Sequence, residues 1–172
     1  MSSSRCFVAK VTAAVAREPH IDGPTLIDST THISEHLASE GVMGSVRPGR
    51  RQQADIDFGW PLLEQVVELE AGRAMAVRER DVIAVEAVEG TAALIERAAG
   101  LCRAKGWTLL KTARADRDPT SNLPTIDVDT IERLAKAGGR CVALGAGRVR
   151  LIDRAAVLTA ADRAKIAVVG ID

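Results

Sequence analysis

Aromatic residues are almost missing from this chain: Phe7, Phe58, Trp60 and Trp107 are the only four, and there is no tyrosine. Single-stranded nucleic acid is gripped by stacking its bases on aromatic side chains, and no such platform exists here. An excess of charge is missing too, because 23 Lys and Arg balance 23 Asp and Glu, with arginines scattered along the whole chain. No net field draws the protein to nucleic acid. Cysteine is scarce. Cys6, Cys102 and Cys141 are odd in number and far apart, which fits reduced, buried thiols in a cytoplasm better than a disulfide frame or a zinc ribbon. Residues 1–5 carry no secretory core, and no apolar run approaches a membrane-spanning length. What is present is 172 residues, 47% hydrophobic and 27% charged, the balance of one soluble globular domain with room for an extra leading segment.

Periodicity divides the chain into alternating elements. Phe7, Val8, Val11, Ala14 and Val15 are helically spaced, residues 25–28 form a short strand, and Ser29, Thr30 and Thr31 offer caps for a helix through Ala38. The Gly- and Arg-rich stretch 41–50 is expected to be a loop joining a leading segment, 1–45, to a compact domain, 46–172. Residues 55–69 are helical, with Gly59 and Pro61 kinking the helix or marking its true start. Residues 74–87 form a hairpin around Arg78-Glu79-Arg80-Asp81, and 92–105 form a helix closed by Gly106. A strand at 107–112 leads into a long polar loop, 113–124. A helix follows at 129–137, capped by Asp129 and stopped by Gly138-Gly139. Residues 141–144 and 149–152 are expected to pair as a hairpin across Gly145-Ala146-Gly147; a helix at 154–164 and a strand at 166–169 close the chain. Strands and helices in alternation predict an α/β domain with a mixed β-sheet.

Several local patterns carry chemistry. His32-Ile33-Ser34-Glu35-His36 has the H-x-x-E-H order of a zinc site. It lacks a third ligand, since His20 in a turn is the one histidine left, so a solvated helix face is the better account. Gly145-Ala146-Gly147 lacks the third glycine and the following helix of a dinucleotide loop, which leaves a turn. Glu86 and Glu89 end a strand, Gly90 turns, and Thr91 caps a helix whose first amides suit phosphate, although a plain cap explains the step equally well. The loop after the 107–112 strand holds Arg114, Asp116, Arg117, Asp118 and Asn122. Carboxylates there suit Mg²⁺ or Mn²⁺, and arginines suit phosphoryl oxygens.

The run from Asp81 through Val85, Glu86, Glu89 and Gly90 to Thr91 resembles the V-A-V-E-A-x-E-G-T-D signature of the LpxI-type UDP-2,3-diacylglucosamine pyrophosphatases. Also similar to that family are the Asp55-Ile56-Asp57-Phe58-Gly59-Trp60 stretch, Gly106 to Lys111, the Asp118 loop, Pro124-Thr125-Ile126, Asp129-Thr130-Ile131, the Gly138-Gly139 stop and Ala167 to Gly170. The match keeps its order and spacing from about Asp28 to the end.

The resemblance implies a single α/β domain like the LpxI C-terminal domain, a mixed sheet with flanking helices, in a chain expected to lack the family's N-terminal domain. It implies Mg²⁺- or Mn²⁺-dependent hydrolysis of UDP-2,3-diacylglucosamine to UMP and 2,3-diacylglucosamine 1-phosphate (lipid X), in lipid A synthesis in the Gram-negative cytoplasm, with peripheral contact at the inner membrane. A UDP-linked lipid substrate, a homodimer and a separate N-terminal-domain polypeptide are the implied partners, without nucleic acid. Carried over, Lys111, Asp118 and Asn122 fall in the catalytic group, and Asp118 and Glu86 hold metal. Glu86, Glu89, Gly90, Thr91, Arg114 and Arg117 bind the ligand. The chain departs from the pattern where Arg73, Ala92, Arg117, Thr120 and Asn122 replace Gln, Asp, Gln, Arg and Asp. Asn122 accepts a hydrogen bond but is neither a base nor an anionic ligand. The alternative is thus a degenerate member that binds a UDP-sugar lipid or a partner protein without turnover.

Overall fold

The structure is a computed structural model and describes residues 34–102, 104–115 and 123–172. The strand at 25–28 and the helix and histidine motif up to Ile33 lie outside the described residues. A single 3-10 turn, Ser34–His36, leads into Leu37, which bridges Arg150. The elements that follow are β1 (Gly41–Val42), α1 (Arg50–Glu68), β2 (Ala74–Arg78), β3 (Asp81–Val85), α2 (Thr91–Leu101) and β4 (Thr108–Lys111). After these come β5 (Thr125–Ile126), α3 (Val128–Lys136), β6 (Cys141–Gly145), β7 (Arg150–Leu151), α4 (Arg154–Arg163) and β8 (Ala167–Ile171).

Six strands make a mixed sheet in the order β1-β8-β6-β4-β2-β3, and β5 pairs with β7 in a separate two-stranded ribbon. β4, β6 and β8 run parallel. β2 runs antiparallel to both β4 and β3, so β3 points the same way as β4. The carboxyl ends of β3, β4, β6 and β8 therefore share one edge. Side chains alternate with the pleat. Ala74, Ala76, Leu109, Val142, Leu144 and Val168 pack against Leu94 and Ile95 of α2, Ile131 and Leu134 of α3, and Val157 and Ala161 of α4. Met75, Val77, Leu110, Cys141, Ala143 and Val169 pack against Ile56, Trp60, Leu63 and Val67 of α1. Among the described residues the result is three layers with α1 as the one helix on its face, the α/β class expected.

Several local expectations are corrected. α1 begins at Arg50 and runs through Gly59 and Pro61. Its start is set by Gln52, whose side chain accepts from the Gly49 amide. Gly59 sits where a Cβ would lie 2.6 Å from Leu110 and 2.8 Å from Val77, so it allows the helix to press on the sheet. Asp55, buried beside Gly59 and Trp60, accepts from the Arg80 amide at 3.0 Å and from the Thr108 hydroxyl at 3.4 Å. It thereby ties α1 to the two-residue turn at Glu79 and Arg80, both with positive φ as a twisted hairpin turn requires. Burial pushes the Asp55 carboxyl up, against the lowering effect of those bonds.

α3 is capped by Asp127, whose carboxylate accepts from the Thr130 amide at 2.8 Å, and not by Asp129. α2 ends at Leu101, short of Gly106. The hairpin expected across Gly145–Gly147 does not form, because both edges of β6 are occupied by β4 and β8, leaving β7 to pair with β5. The stretch expected to be a joining loop contributes β1, which pairs with β8. β3 is one edge of the sheet, opposite β1. Ile83 is an extra residue between Val82↔Val77 and Ala84↔Ala76, a bulge that blunts the edge against further pairing.

Three helices end alike. The third residue past the end of α1, α3 and α4 donates back five residues: Ala71 to Val66, Gly139 to Leu134, and Ile166 to Ala161. This termination places the preceding residue in the left-handed region. Glycine fills it after α3, at Gly138, but Lys165 fills it after α4 with φ +55°. A side chain costs about 1 kcal/mol there, so Lys165→Gly is expected to raise the free energy of unfolding by about 0.5–1 kcal/mol, read as a higher urea midpoint. Cys141 is fully buried, and burial, aided by the Asp55 charge, pushes its thiol up to about 12 from an ordinary value near 9. Between those values the unfolded chain releases a proton that the folded one keeps, so stability falls as pH rises. Urea titrations at pH 8 and 10.5 should show the wild type losing about 2 kcal/mol more than Cys141→Ala over that interval.

Candidate functional site

The shared carboxyl edge of β3, β4, β6 and β8 gathers the candidate side chains, as parallel α/β sheets do. Lys111 is the last residue of β4 and points to the α2 side, where its side chain is 4% exposed. An ammonium so placed needs partners that replace its lost water. The Lys111 Nζ donates to the Thr91 Oγ1 at 2.6 Å and to the Glu86 Oε2 at 3.3 Å, and the Thr91 hydroxyl donates to the same Glu86 oxygen at 2.9 Å. Three elements meet in this triangle: the end of β3, the start of α2 and the end of β4. Burial pulls the Lys111 pKa below its ordinary value; Glu86 pulls it back up, and the nearby Arg73 lowers it further.

The β3–α2 turn is braced as well. Glu89 accepts from the Ala87 amide at 3.0 Å and pairs with Arg97 at 2.9 Å, while Arg97 also reaches the Val85 carbonyl. Hydrogen bonds from the amides of Glu89 itself and Ala87 hold the Glu89 carboxyl below the usual carboxylate range. Gly72 passes so close to the turn that a Cβ would fall 1.9 Å from the Glu86 carbonyl oxygen. With Gly90 as its cap residue and no acid in its first turn, α2 turns its first amides toward this edge. Those amides carry the helix's partial positive charge.

Of the residues expected at the site, Lys111, Glu86 and Thr91 come together in direct contact, and Glu89 and Gly90 lie in the adjoining turn. Arg114 stands on the other face of the sheet, paired with Glu70 at 3.4 Å and Glu68 at 3.9 Å. Asp118, Asn122 and Arg117 lie outside the described residues. A metal finds no complete donor set among the described residues, where no three His, Cys, Asp or Glu side chains cluster. Glu86 supplies one carboxylate, and Mg²⁺ is often held by one or two carboxylates completed by phosphate oxygens and water. Local pattern did not mark Thr112 and Arg148, which reach this edge through strand pairing, and it marked Arg73 only as a departure from the family motif. His36 pairs with its neighbour Glu35, at 3.7 Å. Among the described residues, no helix is long and apolar enough to cross a membrane.

The sequence model of the LpxI C-terminal domain matches residues 39–169. The chain is 35% identical over 147 residues to the UDP-2,3-diacylglucosamine pyrophosphatase LpxI of Caulobacter vibrioides, covering 81% of this chain and 52% of that protein. The chain thus spans about half the length of the curated relative it matches. Its fold, its matched span and its similarity to that pyrophosphatase agree: the chain belongs to the LpxI C-terminal domain family.

Proposed function

We propose that this domain handles the diphosphate of UDP-2,3-diacylglucosamine, and that hydrolysis there yields UMP and 2,3-diacylglucosamine 1-phosphate. The observation that carries the reading is the buried Glu86–Thr91–Lys111 triangle beside the open start of α2. A lysine kept charged at a strand end, next to helix amides, suits a phosphate oxygen on which negative charge develops. In this reading Glu86 fixes the ammonium, Thr91 fixes Glu86, and the braced β3–α2 turn holds the first amides of α2 against the ligand. Asp118 and Glu86 are the residues that would hold Mg²⁺ or Mn²⁺ together with the diphosphate oxygens. Such an ion supplies charge neutralisation and a more acidic water. Asn122 orients rather than deprotonates, which leaves Asp118 as the candidate base. The second domain of the longer relative, in a separate polypeptide, and a homodimeric assembly belong to the same proposal, as does work at the cytoplasmic face of a membrane.

Incubation of the purified chain with UDP-2,3-diacylglucosamine and Mg²⁺ is expected to release UMP; none at high enzyme load overturns the reading. A rise in melting temperature with the same lipid but no UMP would point instead to binding without turnover, the outcome that Ala92, Thr120 and Asn122 favour. Lys111 gives a pH signature. The protonated form is the useful one and its pKa is lowered, so activity is expected to fall with rising pH below the ordinary lysine value of 10.5. Glu86 raises that pKa, so in Glu86→Gln the alkaline limb of kcat/KM is expected at still lower pH. The same burial disfavours the charged lysine in the fold, so its contribution to stability rises with pH as the proton leaves.

A further inference from the structure

A second charged cluster lies on the α1 side of the same sheet edge. Thr112 is its centre. The Thr112 amide donates to the Arg73 carbonyl at 3.1 Å, and the Thr112 hydroxyl stands over Gly145, where a Cβ would come within 2.1 Å of it. The same Cβ would meet the Arg148 side chain at 3.1 Å, which places Arg148 against Thr112. Arg114 is two residues further along. Both arginines face carboxylates at the end of α1: Arg148 pairs with Glu64 at 3.8 Å, and Arg114 with Glu68 at 3.9 Å and Glu70 at 3.4 Å.

The form of these pairs matters more than their number. Charge-assisted bonds that lock a side chain measure about 2.8 Å, and all three are longer. Side-chain exposure is 45% for Glu64, 60% for Glu68 and 78% for Glu70, against 17% for Arg148 and 34% for Arg114. Loose pairs with wet carboxylates contribute little to stability, so a better acceptor displaces the glutamates at small cost. The guanidinium groups are the half-sheltered members, placed at the edge by β4 and the β6–β7 turn, while the carboxylates stand further out in water.

We infer that Arg114 and Arg148 form an exchangeable binding subsite for a phosphoryl group, with Glu64, Glu68 and Glu70 as counterions that give way when the ligand arrives. The ligand class is a phosphate ester or diphosphate, gripped by the planar guanidinium forks. This deepens the proposed function and rests on the diphosphate lying at this edge. The triangle around Lys111 would take its charge from one face of the sheet, and the arginines from the other.

The full chain is titrated with inorganic pyrophosphate by calorimetry at low salt. Arg148→Gln and Arg114→Gln are each expected to weaken binding about tenfold, and Arg148→Lys to give an intermediate loss because it keeps charge but not the fork. Glu64→Gln is expected to tighten binding about threefold, by releasing Arg148. A purely structural ion pair would move both members in the same direction, so opposite signs for Arg148→Gln and Glu64→Gln support the subsite. Weakening by Glu64→Gln, or unchanged affinity in both arginine variants, overturns it, as does wild-type chain that fails to bind pyrophosphate at millimolar concentration. Should Arg148→Gln fail to fold, Arg148→Lys and Glu64→Gln decide. Pyrophosphate bound with these signs but no UMP from the lipid would retire the proposed reaction and leave the subsite; UMP release without the signs would retire the subsite alone.

Discussion

An ammonium group carried below the surface at the end of a central strand is the constraint around which the candidate site is organised. β4 lies inside the sheet with β2 on one side and β6 on the other, and α2 covers the face toward which Lys111 points. Desolvating that charge without partners would cost several kcal/mol, so the chain has to bring acceptors to it. Glu86 and Thr91 are those acceptors, and they arrive from β3 and α2. One lysine thereby dictates how β3 must end, how tightly the turn through Gly90 must close, and where α2 must begin. Gly72 belongs to the same requirement, because the β2 entry has to pass within contact of the Glu86 carbonyl for the turn to sit where Lys111 needs it.

The opposite face answers to a different constraint. α1 is pressed onto the sheet through Gly59, and its buried Asp55 ties it to the far turn at Glu79 and Arg80. The helix is thus registered at the end remote from the site, and the length of α1 carries Glu64 and Glu68 to the near end. The carboxylates beside Arg148 and Arg114 are in this sense delivered by a packing decision made about 13 to 20 Å away along the helix. Binding chemistry and core packing meet in one element.

Much of this was legible in the residues. Short apolar runs marked β2, β4, β6 and β8, the Arg78–Asp81 turn marked a hairpin, and Gly138-Gly139 marked the end of α3. The sequence motif around Glu86 and Thr91 marked the turn that proves to hold Lys111. The failures share a cause. Pro61 and Gly59 predict a broken helix when judged locally, but tertiary packing of Ile56, Trp60, Leu63 and Val67 against the sheet outweighs their propensity cost. Residues 141–152 predict a hairpin by proximity, but which strands pair is settled by long-range competition for the edges of β6. Arg148 was invisible as a site residue for the same reason: it reaches Thr112 only once β6 is seated beside β4.

The charges at this edge also bear on the departures from the family pattern. Lys111 is matched by Glu86, while Arg114 and Arg148 are faced by Glu64, Glu68 and Glu70, so among these groups the carboxylates outnumber the cations by one. A diphosphate arriving there meets little net attraction until some carboxylates withdraw or further cations join. Arg73, close enough to be felt by Lys111, adds one positive charge. Ala92 acts in the same sense, because an acid in the first turn of α2 would neutralise the helix end and alanine leaves its partial charge exposed. These two replacements therefore shift the edge toward anion binding, whatever Asn122 does to the rate. A divalent ion accompanying the diphosphate is the natural complement to such a balance, and this is why the proposed metal is assigned to the substrate's oxygens and Asp118 as much as to Glu86.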